Sequence, residues 1–543
     1  MLNEPAIDKE FFGRGEVLRL LEKRVTALKG GYRQNVALTG QMLSGKSSIL
    51  YQFLYSLKDT SIIPIYIEVI DEPFRSFADK FIATVLYNYL LSCEKEVKND
   101  LEFLLAAAEP LIPVTVLAVR EIKKDLSVKG YTAAYRKLLG LTSVLRQETG
   151  KSCVVILDEF HNLERFKIKK PYMHFGKIIM IQKDTMYIVS SSKKSAIRKI
   201  LSEKLALLYG NFEVIEISGF DHATSRAFLE EKLSGLALEE GLSDYLIDFT
   251  DGNPFYITVI ARKIKELAGL SRDFRVGLET LVDAITALVY AGSGTINQYL
   301  ANMTVSLLGS KEQNSALDTL AAIAYGFNKT GEMAVWLGKS KGVFLKTLIE
   351  LTGLDLVSKY GLFYEINDVV LKFWIKNVLH KRKTLPVGDI TERESIWRAT
   401  LRRDIAEHFH EKQKGIPRRV EELFSSFAGE IVGLGKKVKK LPRFSAVEIR
   451  NSLDGAEILA SLPKGKYWVS RVMEKRINEP LICDFIKRYN PMRDKIARRV
   501  CIAFGGIDEN ALLLAKEKNI WVWDKKTLNA LLRLYKRRVV ICS

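Results

Sequence analysis

The chain has 543 residues, 47% hydrophobic and 27% charged, an ordinary globular composition with length for three or four domains. Its net charge is +19, and the segment Lys381 to Ser543 holds +16 of it, with 36 Lys and Arg against 20 Asp and Glu, leaving +3 for the rest. No stretch reaches the roughly 20 uninterrupted apolar residues of a membrane helix. The opening MLNEPAIDKEFF lacks a basic region followed by an apolar core, so no secretory signal is expected. Five scattered cysteines (Cys93, Cys153, Cys483, Cys501, Cys542) without CxxC or Cys/His spacing speak against a zinc site and fit a reduced cytoplasm. The charge asymmetry points to a polyanion, with DNA the expected partner, against the competing reading of a solvated basic surface.

Residues 1–30 read as a loop and an amphipathic helix. Short apolar runs then alternate with helical segments: Asn35–Thr39, Ile63–Val69, Cys153–Leu157, Met186–Val189 and Phe212–Ile217. Nearly continuous β-branched runs of this kind suit a parallel sheet covered on both faces, which makes residues 1–220 an α/β doubly wound domain. Between the first run and the helix Ser48–Leu57 stands Gly40-Gln41-Met42-Leu43-Ser44-Gly45-Lys46-Ser47, a GxxxxGK[ST] phosphate loop in its proper strand-to-helix context. Its glycines let successive N–H groups, with that of Ser48, face phosphates at a helix N-terminus. Lys46 is placed to reach the β- and γ-phosphates of ATP and the Ser47 hydroxyl to ligate Mg2+.

The run Cys153–Leu157 ends in Asp158-Glu159. A carboxylate at a strand's C-terminal end sits where open α/β sheets bind ligands, so Asp158 is the second candidate for the metal and Glu159 for the general base. Ser190, Ser191 and Ser192 close the next strand, and Ser191 is the first choice for reading the γ-phosphate or orienting water. From Asp221 to about Leu300 the pattern turns helical, predicting a lid over 221–305. Residues 306–380 read helix, helix, helix, hairpin (Glu312–Tyr325, Glu332–Leu337, Gly342–Thr352, then Leu356–Ser358 and Phe363–Ile366), the order of a winged helix. The basic stretch His380–Asp389 looks like a linker to a last domain, 381–543, with helices, apolar runs at Tyr467–Val472, Val500–Phe504 and Ile520–Trp523, and a closing helix.

Phe12-Gly13-Arg14-Gly15-Glu16, the phosphate loop, Leu157-Asp158-Glu159-Phe160 and Gly252-Asn253-Pro254, in this order, resemble the archaeal ATPases of the STAND branch of AAA+ proteins. The resemblance covers roughly residues 10–376. It implies a P-loop AAA+-type core, a helical lid and a winged helix, with Phe12, Gly13 and Arg14 near adenine and ribose and Pro254 touching the base. Family members often carry an arginine after a Leu-Tyr-Gly turn, where this chain has Leu208-Tyr209-Gly210-Asn211. Its loss implies slow hydrolysis unless Arg198 or a neighbouring subunit of a homo-oligomer supplies the charge.

Residues 418–535 faintly resemble the restriction-endonuclease-like domain appended to many such ATPases. An active site of that fold needs carboxylates and a lysine around Mg2+. Here Arg471 and Met473 stand where glutamate and lysine are required, with Asp454 and Glu457 as leftover acids, so the nuclease site reads as lost. Phosphate contacts are expected from Lys436, Lys437, Lys439, Lys440, Arg443, Arg498 and Arg499, and from Lys536, Arg537 and Arg538. Lys341, Lys346 and Lys359 would serve in the winged helix, giving salt-sensitive, largely sequence-neutral binding. The resulting expectation is a slow ATP-dependent switch on DNA. Its rivals are a signalling scaffold assembling on a protein, an ATP-regulated nuclease, and an initiator of the archaeal origin-recognition type, which lacks so long a C-terminal module.

Overall fold

The computed structural model describes residues 5–205, 210–271, 275–384, 389–434, 437–452 and 455–539. They form two compact units: residues 1–220 with 253–255, and residues 221–252 with 256–543.

The first unit alternates α1 (Gly15–Lys29), β1 (Asn35–Gly40), α2 (Lys46–Ser56), β2 (Ile62–Glu68), α3 (Phe74–Ser92), α4 (Leu101–Ala108), α5 (Pro113–Ser127), α6 (Tyr131–Thr149), β3 (Ser152–Asp158), α7 (Pro171–Ile181), β4 (Thr185–Ser191), α8 (Lys194–Lys199) and β5 (Phe212–Ile217). The five strands are all parallel, in the order β2-β3-β4-β1-β5. This is the parallel, doubly wound α/β sheet expected from the alternating runs, with the phosphate loop at the end of β1. Each strand splits its side chains between two cores, as a sheet covered on both faces requires. Ala37, Cys153, Val155 and Leu157 face a core built with α3, α5, α6 and α7. Val36, Leu38, Val154 and Ile156 face α1 and α2 through Leu21, Val25, Ile49 and Phe53. Because β4 lies between β1 and β3, its C-terminal serines emerge between the phosphate loop and the acidic strand end.

The second unit starts with α9 (His222–Leu233), β6 (Ala237–Leu238), α10 (Leu242–Thr250), α11 (Pro254–Ser271, from Tyr256 on), β7 (Arg275–Val276) and α12 (Leu278–Ile285). A 30-residue helix, α13 (Thr295–Ala324), follows, then α14 (Thr330–Leu337), α15 (Lys341–Gly353) and the antiparallel pair β8 (Val357–Tyr360) and β9 (Phe363–Ile366). The helix-helix-helix-hairpin order read from the sequence is therefore present. Next come α16 (Val369–Trp374) and α17 (His380–Thr384), so the basic stretch read as a linker begins as helix.

α18 (Ile390–Gln413) packs back on the helices at the start of this unit. Trp397 Nε1 donates to Thr286 Oγ1 at 2.9 Å, its ring stacks on Tyr290, and Tyr245 OH donates to Asp404 Oδ2 at 3.0 Å. After α19 (Ile416–Ser425) and the hairpin β10 (Ile431–Leu434) and β11 (Lys437–Lys440) comes a mixed five-stranded sheet. Its strands are β12 (Ala446–Ser452), β13 (Gly455–Leu462), β14 (Lys466–Met473), β15 (Ile496–Ala503) and β16 (Trp521–Asp524) in sequential order. The first three are antiparallel and the last three parallel. α20 (Glu479–Arg488) and α21 (Glu509–Glu517) make the two parallel crossovers, and α22 (Lys525–Leu534) closes the chain. Phe363 of the β8–β9 hairpin is buried in this module's own core with Val420, Phe427 and Leu531.

Candidate functional site

β1 delivers the chain into the phosphate loop against β5. A Cβ on Gly40 would lie 2.2 Å from the Ile217 carbonyl oxygen, so only glycine fits this approach. Gly45 sits at φ +91°, in the left-handed region that glycine tolerates, and Leu43 joins it at +60°. Lys46 is buried and donates to the carbonyls of Gly40 at 3.1 Å and Gln41 at 2.8 Å. Burial pushes its ammonium below the ordinary value, against the opposing pull of Glu159 and Asp158. Among the described residues no hydrogen-bond partner meets the buried Ser44 Oγ, while Met42 is exposed. Ser48 Oγ accepts from Ala6 N at 3.1 Å.

Asp158 gathers four donors. Ser47 Oγ reaches Oδ2 at 3.0 Å, Tyr66 OH reaches Oδ2 at 2.9 Å, Ser190 Oγ approaches Oδ1, and the Glu159 N–H donates to Oδ1 at 3.0 Å. Glu159 holds φ +52°, an unusual conformation for a residue with a side chain. Its Oε2 accepts from Ser192 N at 3.1 Å and Ser192 Oγ at 2.8 Å. Burial raises its carboxyl, partly offset by Lys46 and the Ser192 hydrogen bonds. Ser191, the favoured serine of the sequence reading, faces His161 Nδ1 at 3.0 Å and the Lys193 backbone. Of the three serines, Ser190 and Ser192 are therefore the ones that touch the paired acids. Burial, with Lys193, Arg165 and Lys46 adding to it, pushes His161 down to about 4 and keeps it neutral.

Gly13 and Arg14 both take left-handed backbone angles and place the Arg14 guanidinium 4.7 Å over the Phe220 ring, where it also meets the Ser218 carbonyl. Phe12 meets the same ring edge-on at 6.1 Å, and Pro254 stands 3.9 Å from where a Gly45 Cβ would be. Arg198 is 65% exposed and paired with Glu216 at 3.1 Å, which also takes Lys194 at 2.7 Å. Glu216 stands opposite Thr39 in the β1–β5 register, beside the mouth of the loop. Leu208 and Tyr209 of the turn at 208–211 lie outside the described residues, while the Asn211 carbonyl accepts from Asn35 N at 3.0 Å. Sequence reasoning missed His161 and Tyr66: the first had only its place three residues after Asp158 to mark it, and the second is brought in by strand pairing alone.

In the second unit the basic positions divide. Lys341, Lys359, Lys440 and Arg443 are exposed, and Lys346 lies 3.6 Å from Glu350. Lys439 Nζ and the Arg498 guanidinium lie over the Trp521 ring at 3.8 and 4.6 Å, and Arg498 also donates to Asn519 Oδ1 at 2.9 Å. Arg499 is half-buried, and Lys436 and the Lys437 side chain lie outside the described residues. Arg537 and Arg538 serve internally, pairing with Glu422 at 2.9 Å and Asp404 at 2.5 Å, while Lys536 lies against Phe327 at 5.6 Å. The tip of the β8–β9 hairpin is engaged as well: Leu362 N donates to the Ile431 carbonyl at 3.0 Å.

Arg471 is fully buried, pairs with Asp484 at 2.8 Å and lies 4.0 Å from Glu457, its partner across β13 and β14. Glu457 also takes Arg488 at 3.1 Å and the Tyr489 hydroxyl. Two guanidinium groups thus neutralise the acids of this place, and Asp454 lies outside the described residues. Among the described residues no cluster of three or more His, Cys, Asp or Glu is placed to hold a metal by itself, and no helix is long and apolar enough to cross a membrane.

Residues 11–260 match the family model of an ATPase domain predominantly from Archaea. No curated protein matches the chain. Among solved structures, a Walker-type ATPase of Pyrococcus abyssi is 18% identical, with a TM-score of 0.49 over 69% of this chain and 99% of its own. The ORC2 protein of Aeropyrum pernix is 13% identical, with a TM-score of 0.42 over 71% and 98%. The Aeropyrum pernix ORC1 protein, solved in complex with DNA, is 14% identical, with a TM-score of 0.40 over 71% and 97%. Residues 11–260 are a nucleotide-binding ATPase domain.

Proposed function

We propose that this ATPase domain, of predominantly archaeal type, is a slow cytoplasmic switch of the STAND branch, in which Mg2+-ATP bound at Gly40–Ser47 sets the grip of the C-terminal modules on DNA. One observation carries the nucleotide half: Ser47 Oγ and Asp158 Oδ2 stand 3.0 Å apart at the loop's end, beside Glu159. Hard oxygen donors of this kind suit Mg2+, which keeps few protein ligands and shares its shell with phosphates. The orphaned Ser44 hydroxyl and the backbone of Gly40–Ser47 offer donors to those phosphates. When bound, Mg2+ would neutralise charge on the β- and γ-phosphates.

Lys46 would exchange the Gly40 and Gln41 carbonyls for phosphate oxygens, and Glu159 would take the proton of the attacking water. Arg14 and Phe12 would flank the base together with Pro254. Arg198 and Lys194, both paired with Glu216 at the loop's mouth, are the cations available in the same chain to replace the arginine missing at Asn211.

The +16 segment and the exposed Lys440, Arg443, Lys341 and Lys359 support contact with DNA phosphates. Nuclease action has no such support, since Arg471 stands buried among the acids that a metal would need. The domains read as a core (1–220), a lid (221–305), a winged helix (306–380) and a basic nuclease-like platform (381–543). Titrating duplex DNA into wild type and Lys46→Ala, with and without ATP, across a salt series tests this reading. Steep salt dependence and an ATP effect confined to wild type are expected, and no binding by either at low salt would remove DNA from it.

A second reading has one observation of its own. The solvent face of α15, which a DNA-reading winged helix would present to base edges, carries Val343 and Ile349 (58% and 72% exposed), with Val335 at 85% nearby in α14. Base edges are read by hydrogen-bonding side chains, so this face favours a scaffold that docks a protein, assembling as a homo-oligomer with ATP.

A further inference from the structure

The turn between α10 and α11 passes from the second compact unit into the first and back. Asn253, Pro254 and Phe255 belong with the first unit, while Gly252 and Tyr256 on either side belong with the second. Within the first unit Pro254 Cγ stands 3.9 Å from the place of a Gly45 Cβ, so the turn reaches the phosphate loop. A segment this short, joined covalently at both ends, takes its position from whatever holds its flanks.

Both flanks are held, inside the second unit, by residues far along the chain. On the near side α10 ends at Asp251 and Gly252, with φ +50° and +67°, a left-handed region open to glycine and tolerated by aspartate. Their N–H groups donate to the Asp248 and Ile247 carbonyls, each at 3.2 Å, and close the helix. The backbone of Asp251 makes this cap, which leaves its carboxylate for Arg533 of α22, whose Nη2 donates to Oδ1 at 2.5 Å. Burial opposes the Arg533 charge, but Asp251, with Asp248 and Glu365 near it, outweighs burial and holds the guanidinium above its ordinary value. α22 itself is anchored in the core of the C-terminal module by Leu528, Leu531, Leu532 and Leu534. On the far side Tyr256 is 2% exposed, and its hydroxyl donates to Asp368 Oδ2 at 2.7 Å. The other oxygen of Asp368 caps α16 by accepting from Leu371 N at 2.9 Å.

We propose that Arg533 and Asp368 are positioning residues of the nucleotide site: by holding Asp251 and Tyr256 they fix the turn that presents Pro254 to the base of ATP. This rests on Pro254 being a base contact. Neither residue needs to touch ATP. A binding segment already held in its bound conformation costs less to order when the ligand arrives, and affinity rises accordingly. The last helix of the chain thereby acts on the site of the phosphate loop. Such coupling is reciprocal, so ATP that seats the turn strengthens the hold on Arg533 by the same factor.

The test is calorimetric titration of ATP into the full chain carrying Arg533→Ala, Arg533→Lys, Asp251→Asn, Arg533→Ala with Asp251→Asn, Tyr256→Phe or Pro254→Ala, each with a melting curve. Arg533→Ala should raise the Kd for ATP about fivefold, the upper worth of a half-exposed ion pair. Asp251→Asn, which keeps the left-handed backbone and an acceptor oxygen, should raise it by less, and the double variant no more than Arg533→Ala alone, because both remove one contact. Arg533→Lys should recover part of the loss, and Tyr256→Phe should weaken binding on its own. Wild-type Kd in Arg533→Ala and Tyr256→Phe, with only the melting temperature lowered, would overturn the proposal, as would losses that multiply in the double variant. Should Arg533→Ala fail to fold, Asp251→Asn and Tyr256→Phe decide by the same measure. If Pro254→Ala binds ATP as the wild type does, the base contact itself has failed. If it weakens binding while the Arg533 and Tyr256 variants do not, the positioning role alone has failed.

Discussion

Ser47 and Asp158, 111 positions apart in the chain, meet through a hydrogen bond of 3.0 Å from the serine hydroxyl to Asp158 Oδ2. The contact joins the last residue of the phosphate loop to the end of β3 across the intervening β4. Tyr66 and Ser190 hold the same carboxylate from β2 and β4, so both halves of the nucleotide site share one scaffold. A ligand entering it has little of this acidic scaffold to reorganise, which favours tight binding.

The close approach of β1 to β5 is set by Gly40. Gly40→Ala places a methyl 2.2 Å from the Ile217 carbonyl oxygen and must spread the strands at the root of the loop. A loss of about 1–3 kcal/mol in stability is expected from overpacking, with weakened ATP binding. Urea denaturation and nucleotide titration of the purified variant check both.

Lys46 carries a charge, and its side chain donates, among the described residues, to two loop carbonyls. Lys46→Ala should weaken ATP binding by about 10- to 100-fold, the worth of roughly 1.5–3 kcal/mol for a hydrogen bond to a charged group. Thermal stability without nucleotide should change little. Calorimetric titration with ATP and a melting curve separate the two.

Buried Arg471 faces buried Glu457 and pairs with the half-exposed Asp484 in the C-terminal module. Glu457 keeps Arg488 and Asp484 is half-exposed, so Arg471→Met should cost about 1.5–3 kcal/mol, the worth of a hydrogen bond to a charged group. Arg471→Met with Glu457→Gln should recover part of that loss. Denaturation midpoints of the single and double variants provide the check, and added Mg2+ should shift neither.

The second unit carries a pH-sensitive tie between α10 and α18. Asp244 is buried and meets His222 at 3.0 Å, Arg226 at 2.5 Å and Lys412 of α18. Burial pushes its carboxyl up, but the Lys412 hydrogen bond and the charges of Lys412, Arg226 and His222 outweigh it and hold it below the usual carboxylate range. A group depressed in the folded state adds stability above its unfolded value near 3.9, and that stability is lost as pH falls through the folded value. Asp244→Asn should therefore cost about 1–2 kcal/mol at pH 7, given half-exposed partners, and cost progressively less as the pH falls below about 4. Stability curves of both forms against pH give the comparison.

The five strands of the ATPase sheet and the phosphate loop were legible because their signals are local: β-branched runs, and eight consecutive residues that form one loop. The choice among Ser190, Ser191 and Ser192 was not, because adjacent residues at a strand end point to different neighbours. Only the position of β4 between β1 and β3 assigns Ser190 to Asp158 and Ser192 to Glu159. β10, β11, β12 and β13 carry weak or Lys-rich patterns and escaped the reading. With them went the pairing of the β8–β9 tip to β10, where a Cβ on Gly361 would lie 2.3 Å from the Ile431 oxygen. Arg537 and Arg538 looked like phosphate contacts because charge is visible in a sequence and its partners, Glu422 and Asp404, are more than 100 residues away.

The claim that nucleotide state controls the hold on DNA is tested most directly by measuring duplex affinity of Glu159→Gln, which should retain ATP, in ATP and in ADP at one fixed salt concentration. The account expects dissociation constants that differ by about tenfold or more, a coupling of roughly 1.4 kcal/mol. Equal affinities in the two nucleotides, with ATP shown to be bound, would contradict it.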